Sequence, residues 1–102
     1  METIYAKTRR SIRCTANVTG ITDFTGYTAY LTAVSVNDRN TKVIDLESDD
    51  WDSNSVVFDL DADDLDLEYV QHDFEFAISN TTNPQVIART SYMIAKSLTF
   101  AT

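Results

Sequence analysis

Hydrophobic and polar residues alternate along several short stretches of this chain, which is the pattern of β-strands with one buried face. The alternation is strict from Ser11 to Val18 and again from Tyr69 to Ser79. No stretch sustains the 3.6-residue period of an amphipathic helix. The pattern therefore predicts an all-β protein.

The segment Asp23–Asn37 predicts the most prominent strand. It begins with a turn signal at Gly26 and continues as a run in which both faces are fairly apolar. One face carries Ala29, Leu31 and Ala33, and the other carries Tyr30, Val34 and Val36. A strand that is apolar on both faces predicts a central position, covered on both sides.

Further strands are predicted at Thr3–Thr8, Thr41–Leu46, Ser55–Leu60, Val86–Ala95 and Ser97–Ala101. A hairpin turn is predicted at Asp38–Asn40, an acidic loop at 47–55, and a crossover loop at 61–68. We expect Leu65 and Leu67 of that crossover to tuck under the sandwich end. The clearest turn is Ser79–Pro84. Seven to eight short strands predict an antiparallel immunoglobulin-like β-sandwich.

The chain has 102 residues, and 43% of them are hydrophobic, which is enough for one folded domain spanning 1–102. No apolar run approaches the roughly 18 residues that span a bilayer, and the N-terminus has no secretion-signal core. The single Cys14 falls in an alternating apolar series, which predicts a buried, inert thiol. We expect no membrane partner and no cofactor.

Charge is divided unevenly along the chain, whose net charge is −8. Between Lys42 and Arg89 there are 13 acidic residues and no basic ones, while the first 42 residues are net basic. This division favours contact with copies of the same chain or with a basic partner, although the acids could simply keep the protein soluble. Nucleic-acid binding is disfavoured, because it requires a net basic surface.

The acidic residues Asp59, Asp61 and Asp63 are the first candidates for chemistry. A run of solvated aspartates gives no reason for the differently tuned pKa values that acid–base catalysis needs, so we expect no enzyme. Calcium suits these oxygen ligands better, but Asp64 and Val70 stand where an EF-hand needs Gly and Glu. His72, the only histidine, lies on an apolar face and is expected to be a packing residue.

Two groups of residues are candidates for partner binding. Trp51 stands in an acidic loop with Asp49 and Asp50, and its ring either caps the sandwich end or anchors an interface. The second group is basic and lies near the N-terminus, where each side chain can pair with acids of its own chain or of a neighbour. This group is Arg9, Arg10 and Arg13.

Three segments carry a family resemblance: residues 23–31 (DFTGYTAYL), 56–60 (VVFDL) and 74–78 (FEFAI). Together they resemble the small immunoglobulin-like β-sandwich modules of tailed-bacteriophage virions. The likeness is greatest to the N-terminal domain of siphophage upper baseplate proteins, where a D-L-T-G-Y turn enters the central strand. It spans residues from about 11 to 95, and Phe74 and Phe76 replace the usual tyrosines.

The resemblance implies a non-enzymatic structural protein of the virion, since such modules attach components to the particle. For a stand-alone sandwich of this length it favours a capsid decoration or auxiliary protein that binds and stabilises the head lattice. The implied partners are the major capsid protein, other virion proteins, or copies of this chain. The alternatives are a tail or baseplate adaptor of the same fold, and a calcium- or carbohydrate-binding module that uses the loop at 59–68.

Overall fold

The computed structural model describes residues 1–80 and 84–96, and these residues form seven strands and no helix. The strands are β1 (Glu2–Tyr5), β2 (Arg10–Thr15), β3 (Thr28–Ser35), β4 (Asp38–Ser48), β5 (Ser55–Leu60), β6 (Gln71–Ser79) and β7 (Gln85–Ala95). Nothing in this part of the chain is a helix long and apolar enough to cross a membrane. The predicted strand at Ser97–Ala101 lies outside the described residues, as does the middle of the turn predicted at Ser79–Pro84.

The strands form two sheets, one of five strands in the order β1-β7-β6-β3-β4 and one made of β2 and β5. All pairs are antiparallel except β1–β7, which is parallel and joins the first strand to the last. The prediction of an all-β sandwich with at least seven strands is confirmed. The parallel pair departs from the purely antiparallel arrangement expected from the sequence.

The core lies between the two sheets and is built from the alternate positions that the sequence pattern indicated. In β6 the inward side chains are buried at every second position from residue 72 to residue 78, as predicted. The facing strand β5 buries Val56, Phe58 and Leu60 against them. Burying such side chains contributes about 1.5 to 3 kcal/mol each, which makes this alternation the main source of stability.

Strand β3 is covered on one face only. Ala29, Leu31 and Ala33 are each no more than 2% exposed. The opposite face, which includes Tyr30 and Val34, is half-buried and points away from the two-stranded sheet. The prediction that both faces are covered is wrong, because the two-stranded sheet covers only the inner face. The middle strand of the five is β6.

The turn between β3 and β4 also differs from the prediction. It consists of Val36 and Asn37, and the predicted turn residues 38–40 belong to β4 instead. Ser35 stands opposite Asp38 while Val34 stands opposite Lys42, so residues 39–41 bulge out of the ladder. The side-chain oxygen of Ser35 accepts a hydrogen bond from the Asn37 N–H at 3.1 Å, which closes the tighter turn.

The crossover between β5 and β6 follows the prediction. Leu65 is fully buried, and Leu67 packs against the core from a half-buried position. The Leu65 N–H donates to the Asp61 carbonyl at 3.2 Å, which forms one turn of chain without a regular helix. This turn closes the end of the sandwich, where the Lys7 N–H donates to the Leu65 carbonyl.

Candidate functional site

One side of the sandwich is open between β2 and β7, and we refer to this groove as the seam. It arises because the two-stranded sheet is too narrow to cover the five-stranded one. Its volume is about 190 Å³. Its lining comes from both sheets and consists of Ile12, Arg13, Cys14, Thr15, Leu31, Phe74, Phe76, Ala88, Thr90 and Tyr92.

The floor of the seam is apolar, with Leu31, Phe74 and Phe76 from the interior of the five-stranded sheet. On β7 the lining positions Ala88 and Thr90 carry small side chains that are exposed. Small residues at these positions leave the space between the strands unfilled. An apolar groove on an otherwise polar surface is the kind of feature that binds a partner.

Among residues 1–80 and 84–96, the seam lies between the open edge of β2 and the part of the β7 edge that β1 does not cover. The Ala16 N–H donates to the Asn54 carbonyl at 2.8 Å, so the backbone groups of every second residue back from Ala16 along β2 face β5. The backbone groups of Ser11, Arg13 and Thr15 therefore point away from β5. In the described part of the chain β2 pairs with no other strand, and β1 covers β7 only from Tyr92 onward.

Two of the predicted basic residues, Arg10 and Arg13, lie at the rim of the seam. Arg10 forms an ion pair with Glu2, and its guanidinium lies 5.7 Å from the centre of the Tyr92 ring. Arg13 is 3.9 Å from Asp52, and their side chains are 57% and 86% exposed. An ion pair this exposed contributes little, so the Arg13 guanidinium is available to a ligand. Both pairs lie within one chain, which is one of the two alternatives left open by the sequence.

Cys14 lies at the edge of the seam and is 8% exposed. Burial raises the pKa of its thiol to about 11. The thiol is therefore protonated at neutral pH, which removes the thiolate that reactive cysteines need. The prediction of a buried thiol is confirmed.

Trp51 lies away from the seam, at the end of the sandwich. Its ring stacks on Phe24 with the ring centres 4.9 Å apart, and its indole N–H donates to the Tyr27 carbonyl at 2.9 Å. These contacts match the first of the two alternatives from the sequence, in which the Trp51 ring caps the end of the sandwich. Asp49 and Asp50 beside it are exposed. A partner-binding role for this group stays a prediction.

The acidic candidates Asp59, Asp61 and Asp63 are not gathered into a metal site. Asp59 accepts a hydrogen bond from the Ser11 hydroxyl across the β2–β5 pair. The carboxylate of Asp61 accepts the Asp64 N–H at 2.9 Å, which lowers the pKa of Asp61 and stabilises the turn. Residues 1–80 and 84–96 contain no group of three or more His, Cys, Asp or Glu side chains placed to hold a metal ion. Arg9 lies beside these acids, in a shallow pocket that Asp59 and Asp61 also line.

His72 is fully buried in the core, as its position on the apolar face predicted. Its Nδ1 lies 3.0 Å from the Val70 carbonyl, to which it donates in the Nδ1-protonated tautomer. Its Nε2 has no hydrogen-bond partner in the described structure. The ring is enclosed by the core and has no access to a ligand.

The outer face of the five-stranded sheet is polar, and two of its acidic side chains form ion pairs within the chain. Asp73 accepts hydrogen bonds from Arg39, from Ser91 Oγ at 2.7 Å and from Gln71 Nε2 at 3.1 Å. The Arg39 bond is the largest influence and, with the other two, lowers the pKa of Asp73 to about 2. Arg89 and Glu75 form a second ion pair at 3.0 Å. The seam is therefore the better candidate for binding.

Sequence reasoning identified Arg10 and Arg13 but did not identify the β7 side of the seam. For Ala88, Thr90 and Tyr92 the sequence predicts only that they belong to a strand. The available signal was the small size of the inward residues at 88 and 90, because a fully covered strand would carry larger apolar side chains there.

Comparisons with known proteins yielded no relative: no protein-family model matches the chain, and no curated protein or solved structure is significantly similar to it. The geometry of the seam and the sequence resemblance described above are therefore the basis for a functional proposal.

Proposed function

We propose that this chain is a non-enzymatic structural protein that holds another protein at its seam. The observation that carries this proposal is the open side of the sandwich, where an apolar floor lies between β2 and β7 and where no strand of the described residues pairs with the β2 edge. Such an edge is a template for an added strand, with backbone hydrogen bonds supplying affinity and side-chain pockets supplying specificity.

Within that class, the sequence resemblance favours a structural protein of a tailed-phage virion. Two of the three segments that carry it, 23–31 and 74–78, are brought together. Residues 28–31 begin β3, and in its ladder with β6 Ala29 lies opposite Ile78 and Leu31 opposite Phe76. These two segments therefore form one contiguous region of the fold, as expected if the likeness reflects a shared module.

The strand order supports the immunoglobulin-like part of the proposal. In variable-type immunoglobulin domains the strands G, F, C and C′ form one sheet, and B and E belong to the other. Strands β7, β6, β3 and β4 have that order here, and β2 with β5 forms the opposing pair.

The role we favour is that of a capsid auxiliary or decoration protein that binds and stabilises the head lattice, with the major capsid protein as partner. A small sandwich with an open strand edge on one side suits this role, because the edge itself can hold a neighbouring protein. Other virion proteins are the alternative partners, in which case the chain is a tail or baseplate adaptor.

The test is to determine where the chain lies on virions purified from the source of the sequence. Quantitative mass spectrometry measures its copy number relative to the major capsid protein, and electron microscopy of gold-labelled antibody complexes gives its position. We expect a copy number comparable to that of the major capsid protein and label over the head. A copy number far below this, with label on the tail, would favour the adaptor, and absence from particles would contradict both roles.

A further inference from the structure

We propose that the seam takes one extended segment of a partner protein, with apolar side chains at alternate positions and an acidic side chain between them. This inference rests on the proposed function, since it specifies what the seam would hold. Its three supports are the backbone groups of β2, the apolar floor and the charge of Arg13.

The free edge of β2 defines the shape of the occupant. β2 has six residues, so its edge is about 20 Å long at roughly 3.3 Å per residue. The N–H and C=O groups of Ser11, Arg13 and Thr15 point outward at alternate positions along it. A segment of about six residues in extended conformation would satisfy all of them.

The two faces of such an added strand would meet different surroundings. Its inward side chains would lie over Phe76, Ala88 and Thr90, where the floor is apolar and the β7 residues are small. Its outward side chains would lie beside Ser11, Arg13 and Thr15, all of which are exposed. Successive side chains of a strand point to opposite faces, so the occupant needs apolar and polar residues in alternation.

The positive charge of Arg13 favours an acidic residue on the outward face of the added strand. Among the described residues that line the seam, Arg13 is the only charged one. Its guanidinium makes only a long contact with Asp52, whereas Arg10 is held by Glu2 and lies near Tyr92. A carboxylate on the added strand, directly across from Arg13, would form the cross-strand ion pair that the rim lacks.

The same charge argues against a second copy of this chain in the seam. Antiparallel pairing of two β2 edges would place the two Arg13 side chains opposite or diagonal to each other, and like charges there are destabilising. Each copy also carries a net charge of −8, so two copies repel. We therefore assign the seam to a different protein.

The experiment uses the full chain and three synthetic eight-residue peptides with a fluorescent label. The first alternates valine with threonine and has one central glutamate in a threonine position. The second has lysine in place of that glutamate. The third keeps the glutamate but has alternate backbone amides N-methylated, which removes the donors that strand pairing needs. Fluorescence anisotropy at low salt gives the affinities, and amide chemical shifts locate the site.

We expect the glutamate peptide to bind about three- to tenfold more tightly than the lysine peptide. We also expect the methylated peptide not to bind, and the amide shifts to fall on β2 and on residues 86–91. The Arg13→Glu variant should reverse the preference for glutamate over lysine. The matched control Arg39→Glu, on the outer face of the other sheet, should leave that preference unchanged.

The inference would be overturned by no peptide binding, by equal affinity for the two charges, by shifts confined to another surface, or by a self-association that the glutamate peptide blocks. The last would assign the seam to a second copy. Binding seen only after removal of residues 97–102 would assign it to the chain's own end and would also overturn the proposal. None of these results decides whether the chain is a virion protein, which the particle experiment tests separately.

Discussion

At the scale of single residues, Asp73 shows how a charged side chain gains its properties from strands that are distant in sequence. It lies on β6, and its partners Arg39 and Ser91 come from β4 and β7. The Arg39 and Asp73 side chains are 58% and 30% exposed, so solvent weakens the pair. The lowered pKa of Asp73 nevertheless makes the stability of the fold depend on pH.

We expect the Asp73→Asn variant to lose part of the acid sensitivity of the wild type. The pKa of Asp73 is about 2 in the folded chain, and an aspartate in an unfolded chain has a pKa of about 3.9. The ionised carboxylate therefore stabilises the fold above about pH 4, and this contribution is lost as the pH falls toward 2. Urea denaturation at several pH values measures the effect, with Asp45→Asn on the same sheet face as the control. An unchanged pH dependence in Asp73→Asn would contradict the assignment.

His72 gives a second prediction at this scale, because only one of its two ring nitrogens has a hydrogen-bond partner in the described structure. Replacing it with leucine removes the unpaired Nε2, while the Val70 carbonyl keeps its hydrogen bond from the Ile94 N–H at 3.1 Å. We expect His72→Leu to change the free energy of unfolding by less than about 1 kcal/mol, in either direction. His72→Ala leaves a cavity and should cost about 2 to 4 kcal/mol. Chemical denaturation of the two variants measures both changes in the free energy of unfolding. Similar large losses of stability in both would show that the histidine makes an essential polar contact.

At the scale of elements, the turn that leads into β3 depends on Gly26. The Tyr27 N–H donates to the Phe24 carbonyl at 2.9 Å, and the Thr25 N–H donates to the Asp23 carboxylate at the same distance. Gly26 completes this turn with a φ of 93°, in the region that side chains with a Cβ rarely adopt. The turn also places Phe24 and Tyr27 where Trp51 contacts both.

We expect Gly26→Ala to destabilise the fold by about 1 to 2 kcal/mol. No atom lies within 4 Å of an added Cβ at this position, so the cost comes from the backbone and not from a clash. Gly26→Asn should cost less, because asparagine tolerates positive φ better than alanine does. Thermal unfolding of the two variants measures the difference. Equal losses would mean that the side chain, not the backbone, is the cause.

Most strands could be predicted from the sequence, whereas the turn between β3 and β4 could not. Alternation identified β2, β5 and β6, since each directs alternate side chains toward the facing sheet. The sequence predicted the β3–β4 turn at residues 38–40, because the polar residues there are typical of turns. The chain turns at Val36 and Asn37 instead, and the polar residues 39–41 form a bulge from which Arg39 reaches Asp73. Side-chain polarity alone does not distinguish a turn from a bulged strand.

At the scale of the whole molecule, the charge division along the sequence is partly mixed by folding. The acidic middle of the chain contributes Asp45, Asp73 and Glu75 to the large sheet. Arg39 from the basic first part and Arg89 from near the end lie beside them and pair with two of them. The positive charge at the seam belongs to Arg13, whose only ion pair in the described structure is the long, exposed contact with Asp52. Partner binding at that site should therefore have an electrostatic component.

We expect the affinity of the chain for its partner to fall several-fold when sodium chloride is raised from about 50 mM to about 500 mM, because salt screens exposed charge pairs. Sedimentation of the chain with purified virions, or anisotropy with the glutamate peptide, measures this. Sucrose at matched osmolarity is the control for effects other than screening. An affinity that does not change with salt would argue for apolar contacts and backbone hydrogen bonds alone.

The sequence by itself determined the class of fold, the positions of most strands and which of their faces are buried. These follow from local alternation, because each strand must direct its apolar side chains to one side. The tertiary structure decided the seam, which forms where β2 and β7, 70 or more residues apart in sequence, lie side by side with no strand of the described residues between them. It also decided which charges are closely paired and which, like that of Arg13, are paired only at long range, because pairing depends on strand order and register that no local pattern encodes.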